Sequence, residues 1–180
     1  SSEKEKDLIK AFSVRYIKDY DRETRAVQDT LYSKEMQKLS RKYPNDLDIA
    51  TLYAESLFLL EPRRGTRDVN DPDVEKLHSV LEGILETDIK HPGACHLYIH
   101  ATESTQNPEW AESCAEYIGT SIPGASHINH MPSHTWNEIG RWGDAVTANI
   151  MAWHSDMKAS VGEGFAIYPS HNLHMFFFFF

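Results

Sequence analysis

Proline and turn residues cut this chain at short intervals, and between the cuts apolar residues recur at helical spacing. The breaks stand at Tyr43-Pro44-Asn45-Asp46, Glu61-Pro62, Asp71-Pro72, His91-Pro92-Gly93, Ser121-Ile122-Pro123-Gly124 and Gly140-Arg141-Trp142-Gly143. Proline closes or opens a helix at such points because it lacks an N–H and fixes its own φ. Within the pieces the apolar period is 3.6 rather than 2. Val27, Leu31, Met36, Leu39 and Tyr43 form one stripe, widened by Ala26 and Tyr32. Ile49, Leu52, Tyr53, Leu57 and Leu60 mark a helix over Leu47–Leu60. Val74, Leu77, Leu81 and Leu85 mark a third, opened by Pro72, with His78 on or near its apolar side. Short helices follow over Ala94–Ser104, Pro108–Ile118 and Met131–Ile139. A longer one covers Asp144–Met157, with Val146, Ile150, Trp153 and Met157 on one side. The alternation from Phe165 to Tyr168 is too brief for a strand, and the run of phenylalanine at 176–180 has no period at all.

The expected fold is therefore all-α, a single domain over residues 1–180 with about eight helices. Short connections favour antiparallel neighbours, so the helices are expected as stacked antiparallel hairpins, the pattern of an α-solenoid. The four tryptophans, Trp110, Trp136, Trp142 and Trp153, are expected mostly in the core.

Composition removes several functions. Asp and Glu number 27 against 18 Lys and Arg, a balance that argues against nucleic-acid binding. The short run Arg63-Arg64-Gly65-Thr66-Arg67 reads as a solvated loop. No stretch of about 20 apolar residues exists to span a membrane. The first ten residues, SSEKEKDLIK, are charged and show no signal peptide, although a leader removed before Ser1 stays open. A cytoplasmic location is marginally favoured. Cys95 and Cys114 sit in apolar helical settings and are expected as two reduced, buried thiols. Without a CxxC pair, a thiolate zinc site is not expected.

Histidine is the unusual residue: there are 10, nine of them after residue 90. In CHLYIHATE, His96, His100 and Glu103 stand four and three residues apart and share one helical face. His130 and His134 repeat the four-residue spacing around Pro132, with His127 three residues earlier. His171 and His174 follow Pro169. Two imidazoles one turn apart can bind one ion. Several unpaired imidazoles brought to one face would be costly unless they share a partner. The predicted metal ligands are His96, His100, His130, His134, His171 and His174. Glu103 is a third ligand, a catalytic proton carrier or a ligand orienter. His91 and His127 are candidates to stand behind the ligands, although His91 also suits a turn cap. Imidazole with one carboxylate ranks zinc ahead of copper, then iron. A set with an open position would activate water, whereas four to six histidines could hold a pair of copper or iron ions.

Two segments, Leu31–Leu57 and Ile139–Trp153, resemble tetratricopeptide repeats. In the second, Gly140 and Trp142 mark the turn, and Ala145 and Ala152 are the small residues where helices approach closely. A more specific resemblance rests on HPGACHLYIHATE, HINHMPSHTWNEIGRWGDAVTANI and YPSHNLHM. Together these resemble a group of tetratricopeptide-like proteins that carry HPG-H-IHA, HMPSH and PHNLH segments in that order. Here a serine is inserted before His171 in the third segment. The resemblance implies stacked helical hairpins, continued by further helices beyond this C-terminal side, and brings no family-wide reaction with it. The functions in contention are a metal-dependent hydrolase or oxidoreductase, a scaffold binding a peptide or protein in its concave groove, and a structural subunit, including of a homo-oligomer.

Overall fold

The computed structural model describes residues 2–18, 21–61, 65–163, 166 and 168–178. Among them ten α-helices form and no strand does. They are α1 (Glu3–Ser13), α2 (Arg25–Lys42), α3 (Leu47–Phe58), α4 (Pro72–Thr87), α5 (Pro92–Thr102), α6 (Glu112–Ile118), α7 (Ser126–His130), α8 (Pro132–Glu138), α9 (Trp142–Ser160) and α10 (Pro169–Phe178). Single 3₁₀ turns, Arg22–Thr24 and Pro108–Ala111, lead into α2 and α6. Helix starts follow local chemistry. Asp46 and Asp71 accept the N–H groups of Ile49 and Asp73, and Pro72 occupies the first turn of α4.

Each helix packs on its chain neighbour from α1 through α6. Both α7 and α8 then pack on α9, which carries α10 on another side. Tyr32, Met36, Ile49, Leu77, Leu81, Ile99, Ile118 and Met131 are the large, fully buried side chains that join these interfaces. Truncating such a leucine typically costs about 2–5 kcal/mol.

Several expectations change. Among the described residues ten α-helices stand against about eight expected; the ones not named from the sequence are α1, with a mostly charged sequence capped by Ser2 and Glu5, α7, divided from α8 at Pro132, and α10. On α2 the buried side is Gln28, Asp29, Tyr32, Met36 and Leu39, whereas Val27 and Leu31 are exposed. The cause is polar: Asp29 receives Arg15 at 2.8 Å and Arg25 at 3.2 Å, which turns that face inward. On α9 the buried residues are Ala145, Ala148, Asn149, Ala152 and Ser155. Small side chains let α7 and α8 approach there. Ile150 and Trp153 instead face outward and line a cavity with Leu173 and Phe177 of α10. Of the four tryptophans only Trp136 is buried, under the Arg141 guanidinium 3.8 Å from its ring. Trp110, Trp142 and Trp153 are exposed.

The cysteines are not free thiols. Cys95 and Cys114 form a disulfide between α5 and α6, with Cα atoms 4.9 Å apart. The tight packing of these two helices brings their Cα atoms within bonding range. Arg63 and Arg64 lie outside the described residues. Arg67 is drawn to the end of α5, where it donates to the His100 carbonyl at 3.1 Å and to Ser104 Oγ at 2.6 Å. There its charge meets the negative end of the helix dipole. Of the Phe165–Tyr168 stretch, only Ala166 and Tyr168 are described.

Candidate metal centre

Four helices deliver the histidines. On α5, His96 and His100 lie one turn apart, and Glu103 follows at the C-cap. The break at Pro132 leaves the helical path intact, because Met131 keeps helical backbone angles between α7 and α8. His127, His130 and His134 therefore project from one face. Gly119 makes this docking possible: a Cβ there would lie 2.9 Å from the Pro132 ring. Asn129 locks α7 from behind, donating to the Gly119 carbonyl at 2.7 Å and accepting from Ser155 Oγ at 2.7 Å. His171 comes from the first turn of α10. The residue before that helix, Tyr168, has φ 55°, and its carbonyl accepts the N–H groups of His171 and Asn172. The Tyr168 ring meets His127 edge-on at 5.6 Å.

These side chains meet nitrogen to nitrogen. His96 Nε2 is 3.2 Å from His127 Nε2. His130 Nε2 is 3.1 Å from His134 Nε2 and 3.2 Å from His171 Nε2. Neighbouring rings stand 4.7 to 5.3 Å apart along His96–His100–His134–His130–His127 and back to His96. Glu103 spans two of them, one oxygen 2.9 Å from His100 Nδ1 and the other 2.5 Å from His134 Nδ1. Three groups bring their donor atoms within 4.8 Å of one another: His96, His100 and His127; His127, His130 and His171; and His100, Glu103 and His134.

Hydrogen bonds behind the rings decide which nitrogens face inward with lone pairs. A carboxylate only accepts, so Glu103 calls for an N–H on Nδ1 of both His100 and His134. Behind His130, Asn149 donates its amide N–H to the Ala145 carbonyl and turns its oxygen to His130 Nδ1 at 3.4 Å. Ser133 Oγ lies 3.3 Å from the same nitrogen. When both rings are neutral with the proton on Nδ1, the Nε2 atoms of His130 and His134 present lone pairs to each other. Lone pairs in contact repel, and a cation between them removes the conflict.

Burial reinforces this state. Loss of water, with neighbouring imidazoles adding to it, pushes His96 down to about 3, His127 to about 4 and His130 to about 2. Desolvation likewise lowers His171, followed by the His134 and His100 rings. Burial works to raise the Glu103 carboxyl. The hydrogen bonds from His100 and His134 outweigh it and hold the group below the usual carboxylate range. Glu103 stays anionic, and His96, His127 and His130 are uncharged near neutral pH.

The remaining predicted residues lie apart. His174 is exposed on α10 and joins none of the three groups. His91 caps the opposite end of α5: its Nδ1 accepts the Ala94 N–H at 3.1 Å, and its Nε2 faces Asp48 at 3.3 Å. His127, expected behind the ligands, stands among them. Asn149 was missed by the sequence reading. Its signal is an amide in a helix interior among alanines, where a polar side chain needs a buried partner. Arg67 and Tyr168, which hold the ends of α5 and α10, carry no local sequence signal for that role. Comparison with known proteins finds no matching family model, no matching curated protein and no matching solved structure.

Proposed function

We propose that this chain is a transition-metal protein of the tetratricopeptide-like group, with its metal held in the histidine cluster between α5, α7, α8 and α10. One observation carries the reading. Two nitrogens on a tetrahedral zinc at about 2.0–2.1 Å stand about 3.3 Å from each other. The Nε2 pairs here stand 3.1 and 3.2 Å apart, and behind His130 and His134 an amide oxygen and a carboxylate face the Nδ1 atoms. Zinc ranks first, then copper and iron, because the donors are imidazoles with no thiolate among them. A metal-bound water in this setting would serve hydrolysis, and a redox metal would serve oxygen chemistry. Glu103 is engaged by two imidazole Nδ1 atoms, which supports a positioning role ahead of direct proton transfer. The second reading, a partner-binding scaffold, has in its favour the apolar cavity of about 450 Å³ lined by Ile150, Trp153, Leu173 and Phe177.

Metal content decides between them. Untagged protein, purified without added metal and then reconstituted and washed, is expected to retain at least one zinc, copper or iron per chain by mass spectrometry. Loss of all metal after washing contradicts the first reading and leaves the scaffold ahead. A His134→Ala chain that stays folded is expected to hold less metal than the unaltered chain while any partner binding through α9 and α10 persists.

A further inference from the structure

We infer that the cluster holds two adjacent ions rather than one. This rests on the metal-binding reading and extends it.

The donors outnumber one ion. Six imidazoles converge, whereas a tetrahedral site uses four protein or water ligands. Their close contacts also divide. On one side His96 Nε2 meets His127 Nε2, and His100 completes a group within 4.8 Å. On the other side His130 Nε2 meets both His134 Nε2 and His171 Nε2. Each side has a close nitrogen pair of the kind one ion draws together; on the second side His130 and His171 group with His127 within 4.8 Å, while His134 groups with His100 and Glu103.

Two residues join the halves. Glu103 takes one oxygen to His100 on the first side and the other to His134 on the second. It thus orients one ligand of each ion with a single carboxylate, and its negative charge offsets part of the repulsion between two cations. His127 belongs both to the group with His96 and His100 and to the group with His130 and His171. Its Nδ1 is buried without a hydrogen-bond partner. The ring borders both halves, and its one lone-pair nitrogen can serve the ion on either side. The second side reaches the surface through His171, which is exposed.

The test is a count, followed by a subtraction. Metal-free protein titrated with zinc and measured by native mass spectrometry is expected to bind two ions per chain. His96→Ala is expected to keep one ion, and His171→Ala also one, each with its far-ultraviolet circular dichroism unchanged. Because His171 lies at the surface, its variant tests the second side with little risk to folding. Copper(II) at two equivalents is expected to give an electron paramagnetic resonance spectrum broadened by the neighbouring ion. A wild-type count of one overturns the second ion and leaves the metal reading intact. A count of zero removes both. Two unbroadened copper signals, or either folded variant keeping two ions or losing both, overturn the paired arrangement.

Discussion

His78 and His130 are both buried histidines, one in the α4–α5 interface and the other beside the α7–α8 junction, and the fold treats them oppositely. His78 Nε2 is 3.1 Å from the Ala101 carbonyl, and its ring sits edge-on to Tyr98 and Trp110. A protein acceptor and an aromatic wall make it a packing residue. His130 has Asn149 and Ser133 behind its Nδ1, and its Nε2 faces two further imidazoles. Burial alone therefore says nothing of metal binding. What separates the two is what Nε2 faces: a backbone carbonyl for His78, and other imidazoles for His130.

The largest expected effect falls on this pair. With zinc at a thousandfold its dissociation constant, binding stabilises the folded chain by about 4 kcal/mol. Thermal unfolding of His130→Ala should show that metal-dependent gain reduced. His78→Ala should lose stability with and without zinc while keeping the gain. If both variants keep it, the distinction drawn here fails.

Acid sharpens the same comparison. His96, His127 and His130 are held at about 3, 4 and 2 in the folded chain, below the ordinary value near 6.5. As pH falls below about 6.5 the unfolded chain takes up these protons first, so stability is lost. The slope approaches about 1.4 kcal/mol per pH unit for each histidine and persists until the folded values are reached. Denaturant unfolding of metal-free protein from pH 7.5 to 5 should show this fall, and it should flatten in His130→Ala. A pH-independent midpoint would mean that the rings are hydrated or already charged.

The third effect asks whether the histidine-bearing half is held by metal or by its cross-link. Cys95 and Cys114 close a loop of 19 residues. Chain-entropy reasoning gives such a bridge about 3 kcal/mol. Cys95→Ser with Cys114→Ser should lower metal-free stability by about that amount yet leave zinc stoichiometry unchanged. Lost zinc in the double variant would make the disulfide part of the site's positioning.

Much of the site was legible because metal-binding patterns are local. The spacing of His96, His100 and Glu103, and that of His130 and His134, already assigns each set to one face. Their meeting depends on long-range packing: the small face of α9, Gly119 against Pro132, and the turn at Tyr168. None of these has a local signature. The α9 stripe misled for a related reason, since Ile150 and Trp153 are apolar but the alanine side is what admits α7 and α8. The α2 stripe failed because two arginines draw Asp29 inward, a charge pairing that periodicity does not weigh. Cys95 and Cys114 looked like separate core residues, because their pairing depends on how two helices separated by a loop and a 3₁₀ turn come together.

The most direct measurement is anomalous diffraction at the zinc edge from crystals of the zinc-loaded protein. The account predicts strong peaks within coordination distance of the Nε2 atoms of His130 and His134, among the rings delivered by α5, α7, α8 and α10. Zinc found only at exposed histidines such as His174 or His154, with the cluster still in nitrogen-to-nitrogen contact, would contradict it.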